Sequence, residues 1–382
     1  MRKARSAISA ATVTWSPEKD ASGATRAAFT GQKNRLDDFT MLHQHAARLT
    51  HRDARQRRRA VRKLFELDDP AALVHFQPLL DSDDGWTQAK ATDAYRRWFG
   101  SQHEELGKQL VDDSRPEIRL LAAEILPRLG EASRPHLSSL TESPESDVKL
   151  QAYTGMVAIS GDDLLIVLEQ AAVDEHHSVR RLAALRAHAL DEEKAKELLS
   201  KALKDGHHRV RGAALESIGL LSDVNSFRDS LLPLLNDRRP LLRAEAARIL
   251  LPLDWERGDH APLLDILRDP DGEMVRVVTN MLRERDWLAH SEVVEAVKGS
   301  QATTLLARLL RGDSSESATS LRTELLSDDS CERMLRLRLL EQLHGKRCTA
   351  GELGAAEQLT DSDDELLSQA ANSLLEDVAA RN

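Results

Sequence analysis

Residues 205–253 read DGHHRVRGAALESIGLLSDVNSFRDSLLPLLNDRRPLLRAEAARILLPL. The pair Val210-Arg211 returns as Leu242-Arg243. Each pair opens an apolar run at helical spacing: Val210, Ala213, Ala214, Ile218 and Leu221, then Leu242, Ala246, Ala247 and Leu250. Side chains three and four positions apart share one face of a helix, so each run predicts an amphipathic helix. Between them, Val224 to Asp237 predicts a further helix carrying Leu231, Leu232, Leu234 and Leu235, with short polar turns on either side. One hairpin of this size cannot bury both its apolar faces, so it needs another stacked against it.

The position of Arg211 can be followed along the chain. Backwards it falls at Arg180, Lys149, Arg119, Gln88 and Arg57; forwards it falls at Arg243 and Arg276, with weaker matches near Ala307, Arg336 and Leu367. The step is roughly thirty-one residues, which predicts about eleven helical hairpins.

A second regularity is polar. Asp113, Asp174, Asp205 and Asp237 each stand six residues before Arg119, Arg180, Arg211 and Arg243. A carboxylate closing one helix can accept from backbone N–H groups that open the next. It can also pair with a guanidinium of its own repeat or of the adjoining one. On this Asp…(Val/Ile/Leu)-Arg…Ala-Ala…Leu pattern the chain resembles the HEAT-repeat family, in the short form also seen in phycobilisome-lyase-like proteins. The resemblance covers about residues 37–380 and departs from the pattern at Gln88 and around 290–320. It implies an all-α fold, a right-handed α-solenoid of stacked hairpins, with a regular portion at 37–289 and a less regular one with its cap at 290–382.

Composition agrees. Of 382 residues 41% are hydrophobic and only 3% aromatic, so small and branched aliphatics fill the helix contacts. Cys331 and Cys348 are the two cysteines, without a CxxC pair, which suits reduced thiols in a cytoplasmic protein. No apolar run approaches the roughly twenty residues needed to cross a bilayer.

Residues 1–36 are rich in Ser, Ala and Thr, are more basic than acidic, and have no lasting period. They are expected to be a disordered arm. The arm reads as an unremarkable tail, as a segment that folds on an acidic partner through Trp15 and Phe29, or as a transit peptide. Trp15 followed by Ser16-Pro17-Glu18-Lys19-Asp20 breaks the pattern that the last would require. The helix expected at Arg55 to Leu67 is the most basic, with Arg55, Arg57, Arg58, Arg59, Arg62 and Lys63. Trp86, Tyr95, Trp98 and Phe99 are a local concentration of rings, and their spacing of three and four favours core over a binding surface. Pro78 is expected within a helix, and Pro116, Pro144, Pro240 and Pro270 in short turns.

The net charge is −10, yet around the second helices of the first eight repeats basic residues outnumber acidic ones roughly three to one. By resemblance to HEAT arrays, these helices line the concave side. Arg58, Arg62, Arg96, Arg97, Arg181, Arg186, Arg248, Arg283 and Arg285 lie outside the repeat-Arg position and are the candidate partner-binding residues.

The expected function is that of a non-enzymatic scaffold or adaptor whose basic groove holds an acidic protein segment or subunit. The alternative is a nucleic-acid-binding protein resembling the HEAT-like DNA glycosylases, for which Trp86, Asp93 and Trp98 would have to unite a carboxylate with rings. HEAT-like deoxyhypusine hydroxylases hold iron through several His-Glu pairs, and His103-Glu104 is the one such pair here. His176-His177 and His207-His208 recur one repeat apart and read as exposed turn residues rather than metal ligands. No phosphate loop, dinucleotide fingerprint or nucleophile elbow is present. The sequence assigns no catalytic residue, cofactor or metal ligand, and leaves the oligomeric state open.

Overall fold

The computed structural model describes residues 40–381. The expectations for the arm at 1–36, including Trp15 and Phe29 as anchors, lie outside the described residues. The described residues are all-helical, without a strand. They fall into two compact units, the first ending at Gly155 and the second starting at Met156.

In the first unit the second helices are Ala54–Leu67, Gly85–Trp98 and Pro116–Ile125, and Gly85–Trp98 packs on both of its neighbours. Leu64, Phe76, Ala91, Tyr95, Leu121 and Ala122 are among the side chains that this stacking seals from water. The expected helix around Pro78 is two successive 3₁₀ turns, Pro70–His75 and Gln77–Asp81. Proline cannot donate to the preceding turn, so the chain restarts there. Phe65, Phe76 and Trp98 close this end with ring centroids 4.8 to 5.8 Å apart. Asp68, left-handed at φ 52°, ends Ala54–Leu67. Its carboxylate accepts from Arg97 Nε at 2.7 Å and from Trp98 Nε1 at 2.8 Å.

In the second unit the second helices His177–Arg186, His208–Ile218, Pro240–Glu256, Gly272–Arg283, Thr303–Leu310, Arg333–Leu343 and Glu365–Arg381 pack each on the next. First helices do the same, as Ala261–Arg268 on Ser291–Lys298 and Glu316–Ser327 on Ala350–Thr360. This tandem stacking is the α-solenoid arrangement that the period implies. The hairpins continue through 290–320, where short helices, Ser291–Lys298 and Thr303–Leu310, weaken the pattern without breaking it. The helix expected at 224–237 is three short pieces, Asn225–Phe227, Arg228–Leu231 and Leu232–Asn236, the last started by Pro233. Pro116 and Pro240 stand at the first helical position rather than in the turns, where a missing N–H costs nothing.

Candidate interaction surface

The repeat Asp and Arg build a ladder of hydrogen bonds from one repeat to the next. Asp205 accepts from the His207 N–H at 2.7 Å and so braces the turn that leads into the N-cap His207. Arg180 Nε reaches that same carboxylate at 2.7 Å, while its Nη1 donates to the carbonyls of Asp174 and Glu175. Arg211 repeats the pattern with the Asp205 carbonyl at 2.8 Å and the Asp237 carboxylate at 2.8 Å. Arg243 joins the Asp237 carbonyl to the Asp271 carboxylate. Each guanidinium thus binds the carbonyl of its own repeat and the carboxylate of the next. Burial pushes the Asp205 carboxyl up, but Arg180 and the His207 N–H pull harder, and the net shift is downward.

The first unit varies the theme. Arg119 donates to the Asp113 carbonyl at 2.6 Å but pairs with Glu145, also at 2.6 Å, because Ser143 stands at the Asp position. Gln88, where the sequence lacks its Arg, still donates to the Leu80 carbonyl at 3.1 Å. The missing charge comes from the next repeat: Arg115 reaches the Leu80 carbonyl and Asp81, each at 2.8 Å, while also holding Asp113. Arg276 leaves the ladder and pairs with Glu273 on its own helix.

The nine arginines outside the ladder divide by what they touch. Arg96 pairs with Glu124 at 2.8 Å and Arg97 with Asp68 at 2.7 Å. Arg248 pairs with Glu245. Arg283 and Arg285 donate to the carbonyls of Arg308 and Met281 at 2.6 and 3.0 Å. Arg58 lies over the Trp86 ring, 5.1 Å from its centroid. Arg62, Arg181 and Arg186 are exposed and have no carboxylate partner among the described residues. Of the nine, Arg96 and Arg97 are therefore neutralised by carboxylates of another helix or its end, which a count along one helix cannot reveal.

Of the glycosylase-like trio, Trp86 is half-buried beneath Arg58, whereas Trp98 is taken into the core. Tyr95, Trp98 and Phe99 are core residues, at most 4% exposed, and Asp93 is held by Lys90 at 2.6 Å. Stacking of the second helices on both sides takes these rings inside. His103 is likewise buried, and burial lowers its pKa. Cys331 and Cys348 are free thiols, both shifted up in pKa by burial, which disfavours the nucleophilic thiolate.

Two histidine arrangements emerge. His176, His177, His207 and His208 form a continuous stack, with successive centroids 4.8, 3.7 and 4.7 Å apart. Burial first, then neighbouring His and Arg charges, lowers the pKa of His177, His207 and His208. The other, which the sequence reading passes over, is His260 with His290 and Glu292 around Trp255. Its signal in the sequence is a spacing of one repeat between two histidines, each just before a helix.

Residues 104–190 match the family model for HEAT repeats. No curated protein sequence matches the chain. Among solved structures, YibA of Escherichia coli is 17% identical, with 85% of this chain and 98% of that chain covered and a TM-score of 0.41. An engineered protein is 18% identical over 89% and 99% of the two chains, with a TM-score of 0.32. Human deoxyhypusine hydroxylase in complex with glycerol is 14% identical over 91% and 99%, with a TM-score of 0.31. No helix among the described residues is long and apolar enough to cross a membrane.

Proposed function

We propose that this chain, a HEAT-repeat protein with its repeats recognised at residues 104–190, is a non-enzymatic scaffold or adaptor that holds an acidic segment of a protein partner against its second helices. Stacked hairpins offer extended surface rather than an enclosed pocket, which suits a peptide or helix as ligand. The observation that carries the reading is the contrast between two kinds of arginine on the same helix, His177–Arg186. Arg180 is spent on the ladder, with Asp205 and two carbonyls, and serves the fold. Arg181 and Arg186 are exposed without a carboxylate partner among the described residues. An acidic partner would supply what the fold does not, and in the first unit Arg62 offers the same.

The test is titration of the full chain into a fluorescent Asp/Glu-rich peptide, beside the variant Arg181→Glu/Arg186→Glu and a random DNA duplex. The peptide should bind the unaltered chain, weaken as salt is added, and lose at least tenfold affinity for the variant. Equal affinity for the variant would overturn this surface. Binding of the duplex in preference to the peptide would move the function to nucleic acid.

A further inference from the structure

The turn between the helices Pro240–Glu256 and Ala261–Arg268 holds a group of side chains that neither the ladder nor the arginine surface uses. His260 is 8% exposed, and its Nδ1 lies 2.8 Å from Glu292 Oε1. His290 stands one repeat further on, its ring centroid 4.6 Å from that of His260 at an interplanar angle of 84°. Trp255 walls the group, 4.6 Å from the His260 ring and 4.8 Å from the His290 ring. One nitrogen of each imidazole and one oxygen of Glu292 lie within 4.8 Å of one another.

Three observations point beyond a core histidine satisfied by hydrogen bonds. Both histidines occupy N-cap positions, yet neither side chain makes a cap hydrogen bond, whereas His207 accepts from the Arg209 N–H at its own N-cap. Their rings turn toward each other instead. The carboxylate of Glu292 can only accept, so Nδ1 of His260 is the donor. His260 Nε2 is buried without a hydrogen-bond partner, and such groups ordinarily find one. Finally, Glu292 is half exposed at 52%, so the group is closed on the Trp255 side and open on the other.

We propose that His260, His290 and Glu292 bind a single divalent transition-metal ion of the zinc class. Two imidazoles and one carboxylate suit zinc and its borderline neighbours, whereas magnesium and calcium take oxygen donors. Tetrahedral zinc with bonds of about 2.0–2.1 Å needs ligand atoms about 3.3 Å apart. Zinc takes the place of the proton that His260 Nδ1 shares with Glu292, the neutral imidazole then carrying its proton on Nε2, and rotation of the exposed Glu292 side chain with a small shift of His290 supplies the closure. Water from the open side completes the coordination. The ion ties the turn after Trp255 to the turn before Ser291 and thereby joins two successive repeats.

The probe is zinc itself, added to the full chain after treatment with a chelator and read by competition with a chromophoric chelator and by the thermal unfolding midpoint. The unaltered chain should bind one equivalent at this site and unfold at a higher temperature with zinc present. His290→Ala and Glu292→Gln, which lie at the open side and spare buried His260, should weaken that equivalent by at least about 10–100-fold and abolish the midpoint rise. A variant with His176, His177, His207 and His208 changed to Ala should keep both. The proposal is overturned if the intact chain binds no zinc, if His290→Ala and Glu292→Gln bind it unchanged, or if the four-histidine variant alone loses it.

Discussion

Arg322 Nε and Glu352 Oε1 are 2.7 Å apart, with side chains only 7% and 1% exposed, and they join first helices one repeat apart. The same guanidinium donates to the carbonyls of Leu310 and Asp313, and Glu352 also closes a capping box with Thr349. Breaking a pair this deep strands a buried charge. Arg322→Met is expected to destabilise the second unit by about 3–5 kcal/mol. Arg322→Met with Glu352→Leu should recover part of that loss, since no charge is left alone. Urea unfolding of the three chains checks this; a double variant no more stable than the single one would show that the carbonyl contacts dominate.

The ladder fixes the acid side of the stability profile. Asp205 and Asp271 titrate below the ordinary 3.8 in the folded chain, since Arg180 and Arg243 outweigh the effect of burial. A carboxyl depressed by folding stabilises the native state above its unfolded pKa, and the gain is lost as pH falls through the folded value. Stability should therefore be level with respect to these groups from neutrality down to about pH 5, then fall below about pH 4. Asp205→Asn should flatten part of that fall. Unfolding midpoints across pH 2–7, an order-of-magnitude span around the carboxyl range, measure it; an unchanged slope in the variant would remove Asp205 from the account.

Gly107 carries a steric prediction. A Cβ built there would lie 2.6 Å from Phe99 Cζ and 3.1 Å from Leu126 Cδ2, and Phe99 is itself only 4% exposed. Gly107→Ala should cost about 1–3 kcal/mol by overpacking despite the better helix propensity of alanine. Adding Phe99→Leu should return some of it. A stabilised Gly107→Ala chain would mean that the ring has room to move.

Hairpin period, second-helix starts and the Asp/Arg spacing were legible because each depends on residues close in sequence. Which carboxylate each arginine takes was not. The spacing of six ties Asp205 to Arg211, but Arg211 takes only the carbonyl of Asp205 and gives its charge to Asp237. Arg115 substituting for Gln88, and Arg322 reaching Glu352, are likewise bonds between repeats. The candidate arginines suffered most from this, since Arg97 and Asp68 lie twenty-nine residues apart and meet only on folding. His260 and His290 were missed because each alone looks like an ordinary residue in a turn.

The ladder has a direction. In the second unit Arg180, Arg211 and Arg243 each look back to the carbonyl of their own repeat and forward to a neighbour's carboxylate, as in Arg180 with Asp205 and Arg211 with Asp237. A segment cut at equivalent points, such as 175–205 and its successor, would carry matching male and female ends. Copying or deleting one such segment would let the flanking ends mate again, so this part of the second unit tolerates changes of length in whole steps and resists every fractional one.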